Sequence, residues 1–136
     1  MTEADPTEHS NIYEALLHAQ EGFGPIFKDA NNPYFKSKYL SLPKLIEAVR
    51  PALTKHGIVI FSRYDVTEGR PYVVTTLYHA SSGTFVDSTF VVADLSNPQK
   101  IGSAGTYGMR YNLTHLLGIA PDEDDDGNAA SLPPAQ

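Results

Sequence analysis

The sequence predicts an α+β fold: a small antiparallel three-stranded β-meander with helices on one face. Three observations carry that expectation. Apolar residues recur at helical spacing in two segments before Gly57. Runs rich in β-branched and aromatic residues then fill 58–92, and a glycine-bearing helical stretch follows from Gln99. The order α, α, β, β, β, α suits a sheet covered on one side by helices.

Taken in order, residues 1–10 have no periodicity and are expected to be a flexible N-terminus. Asn11 followed by Glu14 is a helix-opening pair, Ile12, Ala15, Leu16 and Ala19 give the helix an apolar stripe, and Gly22 and Gly24-Pro25 stop it. Residues 26–40 lack a clear period but alternate basic and aromatic side chains: Lys28, Tyr34, Phe35, Lys36, Lys38 and Tyr39. Ser41 caps a second helix, with Pro43 in its first turn, Leu42, Leu45, Ile46, Val49 and Leu53 on one face, and Gly57 as its stop. Pro51 is awkward there, because an interior proline costs about 3 kcal/mol and kinks a helix. Strands are expected at 58–65, 72–79 and 84–92, joined by Glu68-Gly69-Arg70-Pro71 and Ser81-Ser82-Gly83. The third helix runs from Gln99 to about Leu117. Residues 121–136 are an acidic tail, expected to be disordered, since Pro, Asp, Gly and Ala offer little to bury.

A chain of 136 residues holds one domain. It has no cysteine, which excludes disulfides and Cys-ligated zinc. The polar, acidic N-terminus does not resemble a signal peptide, and no apolar run is long enough to cross a bilayer, so a cytoplasmic location with no membrane partner is expected. The net charge is −6, but eight of the 16 carboxylates sit at the ends: Glu3, Asp5, Glu8 and the run Asp122–Asp126. Between them, ten Lys and Arg face eight Asp and Glu, which leaves the central stretch at +2. The distribution therefore permits a polyanionic partner, although the sum does not favour one.

The third helix carries the most unusual pattern. Gly102, Gly105 and Gly108 each cost about 1 kcal/mol relative to alanine, so the backbone there is expected to approach something closely. On a helical wheel, Ile101, Gly105, Gly108, Met109 and Leu116 form a core-facing stripe. Lys100, Ser103, Thr106, Tyr107, Arg110 and Thr114 fall within roughly 120° on the other side. Two cations, three hydroxyls and an aromatic ring are what a phosphate backbone with unstacked bases requires. A solvated polar face above a tight helix–sheet contact would produce the same pattern. The segment 34–39 repeats the chemistry, with Lys36 and Lys38 on one side if it is extended, and it also reads as a surface loop anchored by aromatics.

Catalytic and metal-binding signals are thin. Asp122, Asp124, Asp126 and Gly127 open like a calcium loop, but Pro133 stands where the bidentate Glu should be. The histidines, His9, His18, His56, His79 and His115, show no metal-ligand spacing. No Gly-Lys-Ser/Thr follows Gly102-Ser103-Ala104-Gly105, so it is not a P-loop. No catalytic or metal-ligating residue is assigned, and the chain is not expected to be an enzyme.

The segment Asn32-Pro33-Tyr34-Phe35-Lys36-Ser37-Lys38-Tyr39, followed by an amphipathic helix and Gly57, resembles the ERF family of phage single-strand annealing recombinases. So does Gln99-Lys100-Ile101-Gly102-Ser103-Ala104-Gly105-Thr106-Tyr107-Gly108-Met109-Arg110-Tyr111, then Leu116-Leu117-Gly118-Ile119 and the acidic run closing in Gly127-Asn128. The resemblance spans 11–128. It implies a Rad52-like β-β-β-α core over 11–120 that assembles into a ring or filament and anneals single-stranded DNA without ATP in a bacterial host cell. Any Mg2+ dependence is left open. By matching motif it implies Lys36, Lys38 and Tyr39, with Gln99, Gly102, Ser103, Thr106, Tyr107 and Arg110, as DNA-binding residues; the wheel adds Lys100. A passive single-strand-binding protein is the alternative, and a metal-dependent nuclease using the acidic run a more remote one. The tail is read as a competitor for the DNA groove or a recruiter of a host or phage recombination protein.

Overall fold

The computed structural model describes residues 5–24, 26–31 and 38–120. In chain order they form α1 (Ile12–Glu21), β1 (Ala30–Asn31), β2 (Lys38–Tyr39), α2 (Leu42–Lys55), β3 (Ile58–Thr67), β4 (Arg70–His79), β5 (Phe85–Val91) and α3 (Pro98–Leu117). The expected acidic tail and Lys36 lie outside the described residues.

All three helices begin where a side-chain oxygen can take an unpaired N–H. Asn11 accepts from Glu14 N at 3.0 Å, Ser41 from Lys44 N at 3.4 Å, and Asn97 from Lys100 N at 2.8 Å. The residues just before α1, which have no periodicity to announce them, fold into a turn in which Glu8 N donates to the Asp5 carbonyl. α2 passes through Pro51 to Lys55 without ending. Pro51 and Glu47 are both exposed, so the carbonyl that loses its N–H partner can turn to water.

β3, β4 and β5 form the expected antiparallel meander with β4 in the centre. The first hairpin is tighter than the sequence implies. Glu68 and Gly69 alone make the turn, both at positive φ, and Arg70 and Pro71 already belong to β4. Two left-handed residues in succession give the turn whose twist matches the flanking strands.

The register decides which side chains meet the helices. Ile58, Ile60, Ser62 and Tyr64 share a face with His79, Leu77, Thr75 and Val73 of β4 and with Val86, Ser88 and Phe90 of β5. The core forms there, from Ile12, Leu16, Leu45, Val49, Leu53, Ile58, Leu77, Leu113 and Leu117. The opposite face is open along its edge strands, with Val59, Phe61, Phe85 and Val91 each 43–54% exposed, while Val74 and Thr76 of the central β4 are buried there.

A second sheet was not expected. Ala30 pairs with Tyr39 and Asn31 with Lys38, so the ends of the basic-aromatic segment form a two-stranded ribbon. Asp29 clamps it to α2: its carboxylate accepts from Ser41 N at 2.8 Å and from the Ser41 hydroxyl at 2.7 Å, while Asp29 N donates to the Tyr39 carbonyl at 3.0 Å.

Candidate nucleic-acid interface

The orientation of α3 determines what it shows to solvent. Its buried residues are Gly108, Asn112, Leu113 and Leu117, a stripe rotated from the Ile101–Gly105–Gly108–Met109–Leu116 face expected of it. Ile101, Gly105, Met109 and Leu116 are only half-buried. Asn112 accounts for the difference, since a polar residue would not be assigned to the core from the pattern. Its Nδ2 donates to the Val73 carbonyl and to Thr75 Oγ1, both at 3.1 Å, and its Oδ1 accepts from the Ser88 hydroxyl at 3.0 Å. A buried amide whose donors and acceptor are all engaged fixes one rotation of the helix on the sheet.

Two of the three glycines serve that contact. A Cβ on Gly108 would lie 3.0 Å from Phe90 and 3.1 Å from Val73, and one on Gly105 would collide with the Tyr64 hydroxyl. Tyr64 reaches that position to donate to the Ile101 carbonyl at 2.8 Å. Gly102 is different: it is exposed, and a Cβ there would meet nothing within 4 Å. Tight helix–sheet packing therefore explains Gly105 and Gly108 but not Gly102.

On the solvent side, Gln99, Lys100, Gly102, Ser103, Thr106 and Tyr107 are exposed, and Arg110 is half-buried. The Arg110 guanidinium carbon lies 4.6 Å from the Tyr39 ring centre, 4.9 Å from Tyr107 and 5.2 Å from Tyr111. Thr114 donates to the Arg110 carbonyl and steadies that turn. Among the described residues no carboxylate pairs with Arg110. Behind it, Phe90 meets Tyr107 edge-on at 5.7 Å and stacks on Tyr111 at 5.9 Å. Tyr107 donates its hydroxyl to Tyr111 at 3.2 Å; that bond, helped by burial, holds the Tyr107 phenol above its ordinary pKa.

The fold thus brings Tyr39, Tyr107 and Arg110 together from two distant parts of the chain. Lys38, beside Tyr39 in β2, is exposed. Gln99, Lys100, Gly102 and Ser103 lie toward the N-terminus of the helix, about 10–16 Å along its axis from Arg110. Lys100 is paired with Asp94 at 3.9 Å, an exposed ion pair that a phosphate can replace at little cost. Tyr111 and Phe90 escaped the sequence reading. The i, i+4 spacing of Tyr107 and Tyr111 was the available signal for the first; Phe90 had none, because only the register of β5 places it under α3.

The histidines are also less scattered than their spacing implies. His9, His18, His56 and His79 converge where α1, the end of α2 and the end of β4 meet, and only His115 stands apart from that group. Burial, and then the neighbouring His9, holds His56 below the ordinary histidine pKa.

No helix of the described residues is long and apolar enough to cross a membrane. No curated protein and no solved structure gives a significant match to the chain. The family model of the ERF superfamily matches residues 12–136, nearly the whole sequence, including both basic-aromatic segments. The chain therefore belongs to the ERF superfamily, a family of recombination and annealing proteins.

Proposed function

We propose that this protein binds single-stranded DNA and anneals it to a complementary strand in homologous recombination, without ATP and without acting as an enzyme. The observation that carries this reading is Arg110 set among Tyr39, Tyr107 and Tyr111 with no carboxylate partner among the described residues. Such a group offers a guanidinium to phosphate and ring faces to unstacked bases. The exposed row of Lys100, Ser103 and Thr106 extends it toward the helix N-terminus, where the flat surface at Gly102 lets a backbone approach. Lys38, and Lys36 beyond the described residues, would supply charge from the hairpin side. The open sheet face with Val59, Phe61, Phe85 and Val91 suits burial against a second copy in a ring or filament.

The test is to mix complementary oligonucleotides with protein and no nucleotide. Faster annealing than in the protein-free control, with affinity falling steeply as salt rises, supports the proposal. Tight binding with slowed annealing would make the protein a passive coat, and no binding at low salt would end both readings. Truncation after Pro121 would tighten DNA binding if the acidic run competes for the same surface.

A further inference from the structure

The histidine cluster lies far from the DNA surface proposed above. Val73, which packs under Gly108, and His79, which borders the cluster, are six residues apart on β4, or about 20 Å. His9 is at its centre, with a side chain only 2% exposed. Its ring stacks on His18 with centroids 4.8 Å apart, and its Nε2 is 2.8 Å from His56 Nδ1. Glu14 Oε1 lies 3.7 Å from His9 Nδ1, too far for a hydrogen bond, and that nitrogen is buried with no partner. Buried polar atoms are almost always satisfied, so an orphan beside a carboxylate, on a ring stacked against a second imidazole, needs an explanation.

We propose that His9, Glu14 and His18 bind a divalent transition-metal ion of the zinc class. Their ligand atoms all lie within 4.8 Å of one another. Tetrahedral coordination at zinc distances places ligand atoms about 3.3 Å apart, with each imidazole lone pair in its ring plane, so binding turns the His18 ring out of its stack on His9 as the ligand atoms close in. Glu14 and His18 are one helical turn apart on α1, so both project from the same face. His9 adds its orphaned Nδ1 from the turn before the helix.

The neighbours fit this role. If His9 Nε2 carries the proton and donates to His56 Nδ1, the tautomer leaves the Nδ1 lone pair on the side of Glu14, as an outer partner does for a metal-bound histidine. Two imidazoles and a carboxylate suit zinc, and three protein ligands leave a fourth position for water. Glu14 is 44% exposed, which gives the ion a route in. The ion would tie the N-terminal turn to α1, whose first N–H is already bonded to Thr84 Oγ1 at 2.8 Å. Bound there, the ion would stabilise this corner of the fold, separate from the DNA surface.

The experiment uses the full chain, stripped with a chelator and titrated with Zn2+ by calorimetry. Co2+ serves as an optical probe of coordination geometry. The expected result is one ion per chain, a thermal midpoint that rises with added Zn2+, and an affinity reduced about tenfold or more in His18→Ala and in Glu14→Gln. Glu14→Gln keeps an acceptor for Ser10 N and has the same shape, so it tests the site even if His18→Ala folds poorly. His115→Ala, on the exposed surface of α3, should bind as the parent does. Absence of saturable binding, or equal affinity in the parent and Glu14→Gln, would overturn the proposal.

Discussion

Replacing Arg110 separates the two contributions assigned to it. Arg110→Ala removes one cation able to reach a phosphate, so the slope of log affinity against log salt should fall by about 0.7 for a single strand. A hydrogen bond to a charged group contributes about 1.5–3 kcal/mol, which predicts binding weaker by about ten- to 150-fold at moderate salt. Arg110→Lys keeps the charge but loses the planar group held 4.6–5.2 Å from three tyrosine rings. Each such contact is worth about 0.5–1 kcal/mol and they do not add fully; because they lie within the protein, lysine should cost about 1–2 kcal/mol of stability in the melt and bind more weakly through loss of the planar fork, with the parent salt slope intact. Fluorescence anisotropy of a labelled oligonucleotide over a series of salt concentrations reads both quantities, and a thermal melt checks the fold. A folded Ala variant with the parent's slope would refute the phosphate role. A Lys variant whose slope falls like that of alanine would refute the separation of charge from stacking.

The glycines of α3 should respond in opposite ways. Gly102→Ala should stabilise the helix by about 1 kcal/mol yet weaken DNA binding, whereas Gly108→Ala should destabilise the fold by about 1–3 kcal/mol through its contacts with Phe90 and Val73, both read by melting and anisotropy. Asn112→Ala strands the Ser88 hydroxyl and takes a donor from the Val73 carbonyl and from Thr75, which keeps Ser62, and urea titration should show a loss of about 1–3 kcal/mol. In chelator-treated protein, His56 has a folded pKa below its unfolded value, so the unfolded state binds more protons in between. Its contribution is therefore complete above the ordinary histidine pKa of about 6.5 and is lost as pH falls below that. Urea melts between about pH 5 and about pH 8 should show that slope, and His56→Gln should flatten it.

Legibility in the sequence followed the range of the interactions. Asn11, Ser41 and Asn97 act on donors three residues away, so the helix starts could be read locally; β3 showed in its alternation, and β4 and β5 in their β-branched and aromatic content. The polar stripe of α3 was legible for the same reason, because Lys100, Ser103, Thr106, Tyr107 and Arg110 repeat at helical spacing. The exact rotation was not, since it depends on Asn112 finding Val73, Thr75 and Ser88 across the sheet. The β1–β2 ribbon has two residues per strand, too few to show a period. The histidine cluster joins positions up to 70 residues apart, and no local spacing records that.

The same ribbon has a thermodynamic consequence. Two residue pairs do not make a stable sheet, and this one is held by the Asp29–Ser41 clamp on one side and by Arg110 over Tyr39 on the other. A guanidinium can keep its cation–π contacts while its N–H groups bond a phosphate in its own plane. A bound strand that immobilises Arg110 would then also hold Tyr39, and the two associations become linked: DNA tightens the hairpin, and a tighter hairpin binds DNA better. The Asp29 amide, bonded to the Tyr39 carbonyl, reports on that linkage, and its hydrogen exchange should slow when single-stranded DNA is added.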